Sequence, residues 1–76
     1  TNLKYELSND SFVNLTVYDI MGNEIRNLVN ASQSSGHKSI QWDATNNIGE
    51  TMPSGFYIYK IQVNDLFETK KMVLLK

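Results

Sequence analysis

Apolar and polar residues alternate along much of this 76-residue chain, and that pattern predicts β-strands. Two early segments place every second residue on one apolar face, namely Leu3, Tyr5, Leu7 and then Val13, Leu15, Val17. Period-two alternation is typical of strands with one buried face and one solvated face. The cluster of turn-forming residues at 8–11 separates the two segments, so they are predicted to be distinct strands.

The second half of the chain predicts a central strand followed by a hairpin. Phe56 to Val63 is apolar on both faces in its first half, which indicates a position inside a sheet. Asn64 and Asp65 tolerate positive φ and predict a two-residue turn, after which a final strand runs from Leu66 to Leu75.

The middle of the chain is less regular. Residues 38–42 alternate as a strand does, whereas residues 24–30 fit one helical face as well as a bulged strand, and we assign them to a strand. Pro53 has no N–H for a ladder, which confines Thr51 and Met52 to a short edge element. Together, the predicted segments make about seven short strands with turns between them. This spacing predicts an all-β, immunoglobulin-like, two-sheet antiparallel sandwich, in which Trp42 is the expected core anchor.

Composition and charge narrow the function classes. The chain has 41% hydrophobic residues, no cysteine and a net charge of −1. Its length allows one thin core, so we expect a single domain over residues 1–76. The start at Thr1, without an initiator methionine, indicates a fragment cut from a longer chain. The balanced charge argues against nucleic acid as a partner, because nucleic-acid-binding domains carry a basic surface. No apolar run approaches the ~20 residues of a transmembrane helix, so no transmembrane segment is expected.

Candidate chemistry is sparse, and no catalytic residue and no cofactor are predicted. His37 is the single histidine and has no framing catalytic motif around it. Asp43 and Asn47 are metal candidates, because the spacing of oxygen ligands in residues 43–49 resembles a calcium loop. The glycine comes one place late and the terminal glutamate is missing, so Asx turns explain these residues better. The chain is therefore not expected to be an enzyme.

Aromatic side chains allow one further interpretation. Four rings could in principle form a platform on which sugars stack, namely Tyr18, Trp42, Tyr57 and Tyr59. In so small a domain such rings are more useful in the core, where each buries a large area. Tyr18 is the exception, because its neighbours on the same face are polar, and it is as readily exposed as buried.

Several segments together resemble a known family. They are LTVYDIMGNEI at 15–25, IQWD at 40–43, PSGFYIY at 53–59 and ETKKMVLLK at 68–76. The chain resembles the C-terminal sorting domain, of type A, of proteins exported by the type IX secretion system of Bacteroidota-like bacteria. That group is similar to the immunoglobulin-like domain of flagellar hook-cap proteins. The resemblance extends over essentially all 76 residues.

The resemblance implies a delivery module. Such domains are recognised by outer-membrane secretion machinery, and a sortase-type peptidase commonly removes them from an N-terminal cargo domain. The implied location is secreted or at the cell surface, reached through the periplasm. The residues that match the family's characteristic positions are the implied sorting signal, namely Gly55, Lys70, Lys71, Met72, Val73, Leu74, Leu75 and Lys76. An alternative function is a structural or adhesive sandwich module of a surface protein, which self-associates or binds glycans.

Overall fold

The computed structural model describes residues 1–75, which form two antiparallel β-sheets facing each other. The strands are β1 (Asn2–Leu7), β2 (Ser11–Asp19), β3 (Glu24–Gln33), β4 (Gly36–Gln41), β5 (Gly55–Val63) and β6 (Leu66–Leu74). One sheet pairs β1 with β4, and the other has the order β3-β2-β5-β6. The predicted two-sheet antiparallel sandwich is therefore confirmed. None of the described residues belongs to a helix long and apolar enough to cross a membrane.

Two sequence expectations need comment. The described residues contain six strands and not seven, because the segment around Thr51 makes only an isolated bridge to Thr45. Pro53 cannot donate to a ladder, which explains why this pairing goes no further. The ambiguous segment at 24–30 lies within β3, and register shifts in the β2–β3 pairing disturb its period-two pattern.

The core lies between the sheets and draws on every strand of the larger one. Val13, Leu15 and Val17 of β2 are completely buried and face β1 and β4. The other buried apolar side chains are Leu3, Leu7, Val29, Trp42, Ala44, Tyr57 and Leu74. The alternation that predicts β1 and β2 is thus the alternation between core and solvent.

Trp42 closes one end of this core. It is 1% exposed and lies just after β4. Its ring meets the ring of Tyr57 edge-on, with centroids 5.2 Å apart and planes at 70°. The indole Nε1 donates to the carbonyl of Thr45 at 2.9 Å, and the Tyr57 hydroxyl donates to the carbonyl of Pro53 at 2.7 Å. Both polar ends of these rings are therefore satisfied, as burial requires.

The loop after Trp42 returns to the edge of the larger sheet. The N–H of Asn47 donates to the carbonyl of Ile25 at 2.9 Å, and the Asn47 side chain accepts from the N–H of Asn27 at 3.0 Å. The Arg26 guanidinium also donates to the carbonyl of Asn46 at 2.9 Å. The two Asn47 bonds satisfy backbone groups of β3 at the sheet edge, and the Arg26 bond holds the loop beside them.

The β2–β3 turn is organised by Asp19. One carboxylate oxygen accepts from the backbone N–H groups of Met21 and Asn23, each at 2.9 Å. The other oxygen accepts from the side-chain amide of Asn23 at 3.0 Å. Gly22 adopts a φ of 87° in this turn, a region that suits glycine. Hydrogen bonds from Asn23 lower the pKa of Asp19 below its ordinary value, because they favour the ionised carboxylate.

We expect the Asp19→Asn variant to lose stability at neutral pH and to lose progressively less as the solution becomes acidic. The folded-state pKa of Asp19 lies below its unfolded value, so its contribution is present above about pH 4. That contribution disappears as the pH falls through the folded pKa. Thermal unfolding of both proteins between pH 7 and pH 2 tests this. A constant difference in melting temperature over that range would contradict the assignment.

Candidate functional site

The final strand is positioned by a tight hairpin. Val63 of β5 pairs with Leu66 of β6 across the two-residue turn Asn64-Asp65, in which Asn64 has a φ of 54°. Asparagine tolerates this left-handed conformation, as the sequence predicts. The hairpin places β6 beside β5 over its whole length, from Leu66 to its pairing of Leu74 with Gly55.

The predicted sorting residues that the structure describes lie on β6, pair with it or directly follow it, but they do not form one surface. Leu74 is buried in the core, and Met72 is half-buried against it. The exposed members are Lys70, Lys71, Val73 and Leu75, whereas Lys76 lies outside the described residues. Successive side chains of a strand point to opposite faces, which separates Met72 and Leu74 from the exposed Lys71 and Val73. Lys70 shares the face of Met72 and Leu74 and is nevertheless exposed. The buried members serve the fold, and the exposed members are available to a partner.

Gly55 differs from the other predicted residues because it acts through its backbone. It opens β5 with a φ of 157°, a backbone conformation that residues other than glycine rarely adopt. A Cβ added there would meet no atom within 4 Å. The position therefore requires glycine for its backbone angle and not for close packing.

The two edges of the larger sheet differ. At the β3 edge the loop containing Asn47 covers the first part of the strand through the hydrogen bonds given above. At the β6 edge, no described strand lies alongside, and the sheet order ends there. An unpaired edge offers a row of backbone donors and acceptors to another strand. β6 is therefore the open edge of this sheet.

Charged and aromatic side chains line the open edge. Glu68 and Lys70 form an ion pair with a 3.5 Å nitrogen–oxygen distance, and they are 65% and 54% exposed. The ammonium of Lys60 lies 4.8 Å from the centre of the exposed Phe67 ring. The sequence reasoning passed over Glu68 and Phe67 as site residues. The sequence does show opposite charges at Glu68 and Lys70, two positions apart on the last predicted strand. That spacing becomes informative only once the strand is known to lie at the edge of a sheet.

The calcium-like segment and His37 have other surroundings. Asp43 accepts from the N–H and the hydroxyl of Thr45, at 3.2 and 2.5 Å. The Thr45 hydroxyl is the main reason that the pKa of Asp43 lies below its ordinary value. The Asn47 side chain is engaged with β3 and with Glu24. His37 is exposed at the start of β4, 3.6 Å from Glu6. Within residues 1–75, no three metal-binding side chains of the His, Cys, Asp and Glu types cluster.

The four aromatic rings do not form one platform. Trp42 and Tyr57 belong to the core, and Tyr59 is half-buried against it. Tyr18 is half-buried on the opposite face of the larger sheet. There it lines a shallow polar depression with Asn14, Asn27 and Gln62 among its neighbours. This depression places a tyrosine beside amide groups that a sugar could use.

The fold and the exposed edge define a class of protein, a structural β-sandwich module. The sequence model of the FlgD Ig-like domain family matches residues 1–66. The chain belongs to this family, whose members are structural and non-catalytic Ig-like domains. A comparison with curated proteins gave no match. The expected similarity to the Ig-like domain of flagellar hook-cap proteins is thus confirmed. The matched region ends at Leu66, where β6 begins.

Proposed function

We propose that this domain is a non-catalytic C-terminal sorting and anchoring module of the type IX secretion system. It directs a secreted cargo protein to the cell surface through the periplasm. Its partners are the outer-membrane secretion machinery, a sortase-type peptidase and an N-terminal cargo domain. The observation that carries the proposal is the exposure of Lys70, Lys71 and Val73 on a strand at the open edge of a sheet, with the exposed Leu75 directly after it.

The physical basis is recognition of a strand by its edge and its side chains. A partner strand that adds to β6 gains main-chain hydrogen bonds, which supply affinity without regard to sequence. Side chains that alternate along β6 then supply specificity. Lys70 and Lys71 lie side by side in sequence but on opposite faces, so a partner can sense positive charge on both sides of the sheet.

The buried residues of β6 have a supporting role in this proposal. Leu74 and Met72 attach β6 to the core, so that the exposed residues are held in a defined geometry. Gly55 pairs with Leu74 and starts the neighbouring strand. The proposed signal is therefore a folded surface, in which some residues contact the partner and others only keep the strand in place.

The decisive experiment separates these roles. A reporter is fused ahead of residues 1–76 in a bacterium that has the type IX system, and secretion of the reporter is measured. The variant K70E/K71E/V73T changes three exposed side chains and keeps Met72 and Leu74. We expect it to abolish secretion and cell-surface attachment while the melting temperature of the isolated domain stays within a few degrees, because exposed substitutions cost little stability.

The matched control is K4E/K38E, which reverses two lysines on the smaller sheet instead. We expect normal secretion from this control, since its net charge change equals that of the test variant. Secretion that survives K70E/K71E/V73T would contradict the proposal. Loss of secretion in both variants would contradict it as well, because overall charge and not β6 would then be recognised.

A second candidate function is glycan binding by an adhesive surface module. The polar depression beside Tyr18 favours it, since amide groups next to an aromatic ring suit a hydroxylated ligand. A glycan array with the wild-type domain and a Tyr18→Ala variant tests this candidate. Binding that depends on Tyr18 would support it, and the absence of any bound glycan would count against it.

A further inference from the structure

We infer that β6 pairs with β6 of a second copy of this chain, antiparallel and in a register centred on Thr69. The two larger sheets then form one continuous sheet across a twofold axis. This inference is independent of the sorting proposal and concerns the isolated domain. It rests on the open edge of β6 and on the order of charges along that edge.

The hairpin determines which backbone groups of β6 face outward. The two-residue turn is closed by hydrogen bonds between Val63 and Leu66, and hydrogen-bonded pairs then alternate along an antiparallel ladder. Leu66 and every second residue after it thus bond to β5. The remaining residues direct their N–H and C=O groups to the open edge, namely Phe67, Thr69, Lys71 and Val73.

A second β6 can pair only where outward-directed residues meet one another. With the twofold axis at Thr69, each Thr69 faces its counterpart, and both strands contribute outward groups. Glu68 of one copy then lies opposite Lys70 of the other, twice by symmetry. These residues form the closer, non-hydrogen-bonded pairs, with Cα atoms about 4.5 Å apart. Opposite charges in this position stabilise a pair of strands.

Neighbouring symmetric registers place like charges together. An axis at residue 68 faces Glu68 with Glu68, and an axis at residue 70 faces Lys70 with Lys70. An axis at Lys71 brings the two Lys71 side chains together. Like charges directly opposite each other destabilise strand pairing. Among the symmetric registers that pair most of β6, the order of charges thus favours the one centred on Thr69.

The outer face of the sheet adds a second contact in the same register. Phe67 of one copy lies opposite Lys71 of the other, again twice. Phe67 is 66% exposed and already has the Lys60 ammonium over its ring. A lysine facing an exposed ring can form a cation–π contact. Both faces of the edge are therefore complementary to a second copy of themselves.

The test is a charge-swap series measured by sedimentation equilibrium at low salt. The wild-type domain is examined over about 10 μM to 1 mM, because one pair of strands buries less than the ~1,200 Å² of a stable interface. We expect a reversible monomer–dimer equilibrium. The E68K and K70E variants should each dimerise at least about tenfold more weakly, since two symmetric pairs change from opposite to like charge. The double variant E68K/K70E should recover wild-type dimerisation.

Mixing the single variants gives the most specific readout. E68K carries lysine at both positions and K70E carries glutamate at both, so in this register they complement each other. An equimolar mixture should form heterodimers although neither protein self-associates well alone. Glu50→Lys is the control, because it has the same charge change as E68K but lies in the loop that bonds to β3. This variant should dimerise normally. Circular dichroism of every variant checks that it remains folded.

Two outcomes would overturn the inference. Wild-type domain that stays monomeric at 1 mM would mean that the edge is reserved for a different partner. Dimerisation that E68K and E50K weaken equally would mean that net charge, and not the register, controls association.

Discussion

Replacing Trp42 by alanine is expected to cost about 3–5 kcal/mol of unfolding free energy. The ring is 1% exposed, meets Tyr57 edge-on and donates to the carbonyl of Thr45. Its removal leaves a cavity and an unsatisfied carbonyl at the end of the core. Urea denaturation followed by circular dichroism measures the loss. Since small domains are stable by about 5 kcal/mol or little more, the variant should be largely unfolded at 37 °C.

The control for this prediction is Trp42→Phe. Phenylalanine keeps most of the buried area and the edge contact with Tyr57 but loses the hydrogen bond to Thr45. We expect it to cost about 1–3 kcal/mol, less than the alanine variant. An alanine variant that loses under about 1 kcal/mol would contradict the role of Trp42, because losses that small are typical of surface positions.

Deletion of residues 70–76 is expected to unfold the domain. The deletion removes Leu74 from the core together with the half-buried Met72. It also removes the pairings of β6 with β5 from Tyr59 to Gly55. Loss of one buried leucine alone costs about 2–5 kcal/mol. Heteronuclear NMR of the truncated domain should therefore show the narrow chemical-shift dispersion of an unfolded chain.

This result bears on how a sorting signal should be mapped. A truncated domain that is unfolded would fail to be secreted whether or not its last residues contact the machinery. The exposed-face variant K70E/K71E/V73T is free of this ambiguity, because it spares Met72 and Leu74. A truncated domain that keeps wide dispersion and a cooperative melting transition would contradict the prediction and would restore the deletion as a clean test.

Much of the fold is readable from local pattern. The alternation at Leu3 to Leu7 and at Val13 to Val17 predicts β1 and β2 together with their buried faces, because a strand has a period of two. Asn64-Asp65 predicts the final hairpin for an equally local reason, the tolerance of these residues for turn conformations. Where the pattern depends on one residue and its neighbours, the sequence is sufficient.

The remainder depends on contacts between distant residues. Register shifts against β2 break the alternation of β3, so residues 24–30 fit two interpretations until their partner strand is known. The short element at Thr51 forms one bridge only, because its extension depends on Pro53 and on the path of the loop. The division of residues 70–75 into buried and exposed members requires the register with β5, which only the hairpin and the core together determine.

The loop that carries Asn47 has a consequence for assembly. It blocks strand addition at the start of β3, whereas no described strand or loop bond covers β6 in the same way. A twofold pairing at β6 uses the same surface on both molecules, so neither molecule of the dimer has an unpaired β6 edge left. Pairing through β6 alone is then closed at two molecules. Removing the Asn47 contacts would open a second edge and turn a self-limiting dimer into a chain-forming unit.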